Sequence, residues 1–360
     1  MRAAVLTEPG DAGLVIRDDL RTAPLRPGFV RLRVRAAGVC HSDISAISGR
    51  LGLPTPVVVG HESAGEVIET GQGVLGFSAG DRVIVSWVPQ CGTCDSCVNG
   101  RPQLCSFNST DEYRWPRYAA PEGDIWAQAG VGGFAEELVV SEHNLVPLPR
   151  DVPFEIGAII GCGVATGVGA VVNTASVRPG DSVAIIGCGG VGLASVQAAR
   201  AAGAATIVAV DPVESKRALA LDLGATHAVG PKDFQAAVDE LTAGAGVDIA
   251  IEAVGSVGTI RSAYEVVRRG GSAVVAGVGP KDQEVGFSPY ELYAGEKRLV
   301  GSVFGSTDIR RDFPRVIQLW RDGTLDLERI ISARIGLEDL PAAINALRSG
   351  DALRSVVVFD

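Results

Sequence analysis

Four of the seven cysteines in this chain crowd one short run, CGTCDSCVNGRPQLC, as Cys91, Cys94, Cys97 and Cys105. Their spacing is C-x2-C-x2-C-x7-C. Thiolates this close along a chain can surround one ion tetrahedrally, which is the geometry of a closed, structural zinc site. Three further metal-type side chains are dispersed: Cys40 in AAGVCHSD, His61 in VVVGHESAG and Cys162 in GAIIGCGVATG. Two cysteines and a histidine leave a fourth tetrahedral position open for water or substrate, as a catalytic zinc requires. Asp43 and Glu62 lie beside two of these residues. An acid near a zinc-binding histidine can hold its other ring N–H and fix its tautomer. The two sets predict two zincs per chain with different tasks.

Other readings of the same residues were weighed. Disulfides need an oxidising compartment, seven is an odd number, and MRAAVLTEPG lacks the charged and then apolar pattern of a secretory leader. A cytoplasmic location is therefore expected. A [4Fe–4S] cluster also uses C-x2-C-x2-C, but the seven-residue gap before Cys105 and the lack of a proline after it favour zinc. A single buried cysteine is usually a small core hydrophobe, so the dispersed set is more telling than its members. Cys188 is left over and is expected only to pack.

A second chemistry is written further along. Gly187, Gly189 and Gly192 form G-x-G-x-x-G directly after the apolar run SVAIIG and open the next helical stretch. The three glycines serve a tight turn, a close approach to pyrophosphate and close helix–strand packing. The helix N-terminus then offers unpaired N–H groups to the phosphates. In a chain with 46 glycines such a match is weak alone. Its context strengthens it: Asp211 ends the following strand, TIVAVD, 19 residues past Gly192, where an acid reaches ribose hydroxyls. That carboxylate repels a 2′-phosphate, and Pro212 rather than an arginine follows it, so NAD is expected over NADP. Lys216 lies about one helical turn on and is a candidate for the same ribose.

These residues need a scaffold. At 360 residues, 46% apolar and 21% charged, the chain is long enough for two globular domains. The net charge of −10 argues against nucleic acid, where a basic stripe is expected. Apolar runs such as the one ending at Val59 are far too short to span a bilayer. Before Gly163, short β-type runs (VRLRVRAAG, SAGEVIETG, DRVIVSW) alternate with Gly, Pro and Asp, predicting a β-rich body with functional loops. After it, apolar strands alternate with helical stretches, predicting a parallel sheet covered on both faces. A β-type tail, SVVVFD, is expected to return to the first domain. The expected division is residues 1–163 with 304–360, and 164–303.

With these motifs assembled, the chain resembles the zinc-dependent medium-chain alcohol dehydrogenases over essentially its whole length. GVCHSD with GHE, the four-cysteine lobe, GCGVATGVGAVV, the GCGGVGL turn with Asp211, and LRSGDALR carry the resemblance. It implies an α/β fold: a β-rich, GroES-like catalytic domain and a doubly wound Rossmann domain. It implies catalytic zinc on Cys40, His61 and Cys162 with Glu62 close behind, and structural zinc on Cys91, Cys94, Cys97 and Cys105. Ser42 matches the hydroxyl that relays the substrate proton, and Trp87 a wall of the substrate pocket. Thr166 and Val191 match residues lining the nicotinamide. Gly190 belongs to the phosphate turn, and Arg354 matches an arginine that reaches the pyrophosphate. Two departures stand out: His41 replaces the arginine that liver-type enzymes place on the pyrophosphate, and Ser45 the histidine that ends their proton relay.

The resemblance implies interconversion of a primary alcohol, aryl and long-chain ones included, and its aldehyde, with zinc and NAD as cofactors. Thiol-adduct formaldehyde dehydrogenation is the alternative, since GCGVATGVGAVVN is similar to that branch as well as the aryl-alcohol one. The partners are a small alcohol or aldehyde and a second copy of the chain, as a homodimer or homotetramer, with no nucleic acid and no membrane. The aromatic insert DEYRWPRYAAPEGDIW is expected to shape the pocket mouth. Two rival classes were considered. A zinc-stabilised binding protein that lost the reaction would lack Ser42 or break the ligand set, and a zinc hydrolase or lyase would not need the nucleotide motif.

Overall fold

The structure, a computed structural model, describes every residue except Asp351, so that one position of the LRSGDALR run lies outside the described residues. Two compact units account for the chain: Met1–Cys162 with Asp308–Ile317 and Ile331–Asp360, and Gly163–Thr307 with Gln318–Ile330.

The first unit is built from two sheets. One runs Leu14–Arg17, Ala3–Leu6, Val57–Val58, Gly123–Ala127, Tyr118–Ala120, Arg21–Thr22. The other has seven strands with Phe29–Gly38 at its centre. That strand alternates Val30, Leu32 and Val34 into the core with half-exposed or exposed arginines between them, the period of a one-sided strand. Its far end fixes the site. Gly38 pairs with Glu62 of the antiparallel strand Glu62–Thr70 on one side and with Val356 of Ser355–Val358 on the other. A Cβ on Gly38 would lie 2.2 Å from a Glu62 carboxylate oxygen, so only glycine leaves room for that side chain. The turn into the helix His41–Ile47 follows at once, with Cys40 as its N-cap. One register thereby delivers Cys40, His61, Glu62 and Arg354 to the same end of three neighbouring strands.

The second unit is a six-stranded, wholly parallel sheet. Its order is His227–Val229, Thr206–Val210, Ser182–Ile186, Val247–Glu252, Val267–Val275, Arg298–Gly301. In order of appearance along the chain this reads 3-2-1-4-5-6, the doubly wound arrangement that holds dinucleotides where the strand order reverses. Phe304–Thr307 and Gln318–Ile330 belong here, whereas the sequence put all of 304–360 with the first domain. Side chains explain the difference. Gln197 accepts from the Asp326 backbone N–H at 2.6 Å, Arg200 donates to the Thr324 carbonyl at 2.9 Å, and Arg329 pairs with Asp222 at 2.7 Å.

One further expectation needs correction. Phe154–Thr174 is one helical stretch of 21 residues with a mean hydropathy of 1.8, long and apolar enough to cross a membrane by composition alone. Its most apolar window is 89% buried within the protein, so it is a core helix. The aromatic insert is also turned inward. Tyr113 and Trp115 join Phe29 and Val139 in a satellite core. Its centre is Arg117, fully buried, with its guanidinium 3.9 Å from the Trp115 ring centroid and 4.7 Å from that of Phe29. The same group donates to the carbonyls of Tyr113 and Trp115. Burial pulls its pKa down to about 10. Among the described residues no carboxylate pairs with it; aromatic faces and peptide oxygens carry its charge.

Arg117→Met keeps most of the volume but leaves two buried carbonyls unpaired and removes the cation–π stack. It is expected to destabilise the chain by about 2–3 kcal/mol. Loss of the near-ultraviolet dichroism of Trp115 at lower temperature reads the effect; an unchanged melting curve refutes it.

Candidate active site and metal centres

The four clustered cysteines meet at one point. Cys91, Cys94, Cys97 and Cys105 bring their sulfurs within 4.8 Å of one another. The Cys91–Cys105 and Cys94–Cys105 sulfurs are 3.5 and 3.8 Å apart, close enough to share an ion and too far for a disulfide. Backbone N–H groups are aimed at sulfur: Cys94 and Thr93 donate to Cys91 Sγ at 3.3 and 3.5 Å, and Cys91 to Cys105 Sγ at 3.4 Å. The thiols split in proton affinity. Backbone donors from Ser106 and Cys97 pull Cys94 down to about 6, while burial pushes Cys97 up to about 12. Sulfurs this close cannot all ionise without a cation, and such a donor set fits zinc.

The dispersed residues form a second cluster, wholly buried: Cys40, His61, Glu62 and Cys162. Cys162 is carried by a π-type turn, Ile160–Val164, a helix irregularity common at functional sites. Its neighbour Gly161 lets that turn approach the strand Arg82–Val85: a Cβ there would lie 2.6 Å from the Val85 carbonyl oxygen. Asp43 is fully buried and takes the Nδ1 proton of His61 at 2.7 Å, while its other oxygen accepts the Cys40 backbone N–H at 2.9 Å. The Nε2 lone pair of His61 is left buried with no hydrogen-bond partner among the described residues. An orphaned imidazole nitrogen beside two sulfurs is what a metal ligand looks like without its metal.

Electrostatics support the same reading. A hydrogen bond from Cys162 holds Cys40 well below the usual thiol range against its burial, and Cys162 is pushed well above it. Burial opposes a charged His61, but Asp43 and Cys40 outweigh it and raise its proton affinity. Burial pushes the Glu62 carboxyl up to about 7, against the pull of Arg354. Arg354 is itself buried, bonds Glu62 through its guanidinium and approaches Cys40 Sγ at 3.9 Å.

In the second unit, Gly187 is in the left-handed region at φ 95°. A Cβ on Gly192 would lie 1.7 Å from the Gly187 carbonyl oxygen, whereas one on Gly189 would project into open space at the mouth of the turn. The helix Gly190–Ala201 starts there. Asp211 accepts the backbone N–H groups of Cys188 and Val213, both at 2.9 Å, which ties its carboxylate to the glycine turn. This cradle fits a dinucleotide.

Comparison with known proteins gives the family. A family described as "Alcohol dehydrogenase GroES-like domain" matches residues 26–150, and one described as "Zinc-binding dehydrogenase" matches 190–322. "Putative alcohol dehydrogenase D" of Mycobacterium tuberculosis is 39% identical over 365 residues, covering 99% of each chain. The chain belongs to the zinc-dependent medium-chain alcohol dehydrogenases. An S-(hydroxymethyl)glutathione dehydrogenase of Synechocystis is 37% identical over 371 residues, again covering 99% of each chain. The crystal structure of a benzyl alcohol dehydrogenase from Acinetobacter calcoaceticus superposes with a TM-score of 0.91 at 30% identity, over 100% of this chain and 99% of that one.

Against that family, the remaining expected residues fall as follows. Ser42 is half-buried in the first turn after Cys40, and His41 before it is exposed. Trp87 packs, half-buried, against the first unit's core. Thr166 is buried, Val191 and Lys216 are half-buried, and Gly190 begins the helix of the glycine turn. Three neighbours had no signal in the sequence. Arg217 donates to the carbonyls of Asp211 and Pro212 at 2.8 and 2.9 Å. Glu252, fully buried, accepts from the backbone of Val254 and Gly255. Gln128, from the insert, reaches Asp43.

Glu62 sets a pH dependence in the metal-stripped protein. Its folded pKa is raised above the ordinary carboxyl value, so the folded state binds the extra proton. The stabilisation is present below the unfolded pKa and lost as pH rises through about 7. The melting temperature of stripped Glu62→Gln, relative to the stripped parent, is expected to rise between pH 5 and 8. The window corresponds to an energy on the order of 3 kcal/mol. A pH-independent difference refutes it.

Proposed function

We propose that this chain is an oxidoreductase that interconverts an alcohol and its aldehyde, with zinc at two sites and NAD as the hydride acceptor. The observation that carries this is the buried Cys40–His61–Glu62–Cys162 cluster with its orphaned His61 Nε2, in one chain with a glycine turn tied to Asp211. Cys40, His61 and Cys162 would hold the zinc, which would supply Lewis acidity to an alcohol oxygen, and NAD would be the hydride acceptor.

The chain's own residues do the rest. Asp43 fixes the His61 tautomer so that Nε2 is free to bind. Arg354 neutralises Glu62. Ser42, two positions after Cys40, is the hydroxyl that takes the substrate proton outward, and Trp87 walls the substrate. The N–H groups at Gly189, Gly190 and Val191 receive the phosphates, with Thr166 lining the nicotinamide. His41, Lys216 and Arg354 are the basic groups assigned to the rest of the cofactor. Asp211 takes the ribose hydroxyls and repels a 2′-phosphate, and Arg217 is already engaged with peptide carbonyls.

The substrate class is a primary alcohol. The benzyl alcohol dehydrogenase likeness favours an aryl one, and the S-(hydroxymethyl)glutathione dehydrogenase likeness supports the thiol adduct as the second reading. A homodimer and a cytoplasmic setting belong to the same proposal; seven free thiols suit a reducing compartment.

Purified protein is expected to contain about two zincs per chain by elemental analysis, given four-ligand and three-ligand sites. It should oxidise benzyl and straight-chain primary alcohols with NAD; one zinc, or iron with acid-labile sulfide, overturns the assignment. Ser42→Ala is expected to cut kcat sharply with zinc content and NAD affinity unchanged.

Asp211→Gly is expected to reduce the NAD over NADP ratio of kcat/KM by at least about tenfold, the size of one lost charge contact. Equal use of both cofactors by the parent enzyme refutes the role of Asp211.

A further inference from the structure

Gln128 is 3% exposed, uncharged and 67 residues from His61. Its amide spans two points on either side of that ligand. Oε1 accepts the backbone N–H of Gly60, immediately before His61, at 2.8 Å. Nε2 donates to Asp43 Oδ1 at 3.0 Å, the same oxygen that takes the His61 Nδ1 proton. Nε2 also lies 3.3 Å from Nδ1, where two donors meet and only Asp43 can accept from both. Turning the amide over would set its oxygen against a carboxylate and its NH2 against an N–H. The orientation is therefore unique. With the Cys40 N–H on Oδ2, both oxygens of Asp43 are filled.

The backbone is bent to put Gln128 there. Ala129 has φ 53°, left-handed for a residue with a Cβ, and Gly130 and Gly132 follow at φ 70° and 64°. Such strain, of order 1–3 kcal/mol per residue, persists only where the surroundings impose it. The loop is pinned by two bonds to the segment leading into His61: Gly133 N–H to the Gly60 carbonyl at 2.9 Å and Phe134 N–H to that of Val59 at 3.0 Å. Gly60 itself is at φ 98°, and a Cβ there would lie 2.6 Å from the Phe134 nitrogen.

We propose that Gln128 is a positioning residue of the catalytic metal site: one amide braces both the backbone before His61 and the carboxylate that orients its ring, and so sets how tightly Cys40, His61 and Cys162 hold their metal. The proposal rests on the reading of that cluster as a zinc site. It gives the 106–133 insert a task at the centre of the reaction.

The four-cysteine lobe provides an internal control, since it lies in the same unit and takes no part in this network. The full-length protein is loaded with zinc, and release to excess EDTA is followed with a chromogenic chelator; parallel samples carry cobalt(II), whose absorption distinguishes a four-sulfur site from a two-sulfur, one-nitrogen site. Cys162→Ser identifies the catalytic phase. Gln128→Met, close in shape without hydrogen bonds, is expected to release the catalytic metal 10- to 100-fold faster, the usual cost of losing an outer-shell partner. The cobalt bands of that site should shift while those of the lobe do not. Gln128→Glu, which sets a second carboxylate against Asp43, is expected to act in the same direction. Unchanged release and spectrum in both variants overturn the proposal. Parallel loss of both metals with a lowered melting temperature also overturns it, since Gln128 would then be an ordinary core residue. If the parent protein binds only one metal, in the lobe, the reading of the cluster as a zinc site fails instead.

Discussion

Buried charge is the constraint from which the catalytic unit is built. Asp43, Glu62 and Arg354 carry almost no exposure, beside two cysteines and a histidine. A charge at such depth survives only with a partner and filled hydrogen bonds. Each has them: Asp43 takes three donors, and Glu62 is matched by Arg354. Two buried nitrogens of the site have no hydrogen-bond partner among the described residues: Arg354 Nε, and the His61 Nε2 lone pair beside two sulfurs. The metal belongs at His61 Nε2, the one of the two that offers a lone pair.

Strand register makes those compensations possible. Gly38, Glu62 and Val356 stand side by side in the central sheet, so residues separated by almost the whole chain act within one hydrogen-bonding distance. Pairing of this sort tolerates no slip, because a one-residue shift would turn Glu62 to the opposite face. The nucleotide unit uses a different economy of parts. Its sheet is wholly parallel, and its glycine turn is tied to one carboxylate, Asp211, at the end of a neighbouring strand. The lobe of four cysteines is separate from both, and its backbone N–H donors hold the sulfurs ready.

Much of this was legible because it is local or chemically distinctive. Cysteines at C-x2-C-x2-C have few uses, and G-x-G-x-x-G after an apolar strand with an acid at the next strand end has fewer. Alternating apolar strands and helices gave the parallel sheet, and the β-type tail does join the first unit. What the sequence hid depends on long-range packing. Gln128 has no spacing signature; its partners are Gly60 and Asp43, and only the bent insert brings it to them. Arg117 stands among the aromatics of the insert in the sequence, but nothing there reveals that it is buried and stacked on Trp115. The contact of the Arg354 guanidinium with Glu62 was not legible either; it is set by the register of the strand that follows it. The sequence boundary near 304 missed the return of Gln318–Ile330 to the second unit because single side chains, Gln197 and Arg200 among them, hold that segment.

The strand Ser355–Val358 has a bearing on biosynthesis. It pairs with Phe29–Gly38, and Arg354 immediately precedes it. Of the residues around the catalytic cluster, Arg354 is the last to leave the ribosome, long after Cys40, His61 and Glu62 have been translated. Throughout that interval the nascent first unit holds a carboxylate whose counter-ion does not yet exist, and the central sheet lacks the strand beside Gly38. The contact between Glu62 and Arg354 therefore forms only once the strand Ser355–Val358 has joined the sheet, although Cys40, His61 and Cys162 precede it in the chain. The cysteine lobe has all four of its sulfurs by Cys105, so the two ligand sets become whole at different points along the chain.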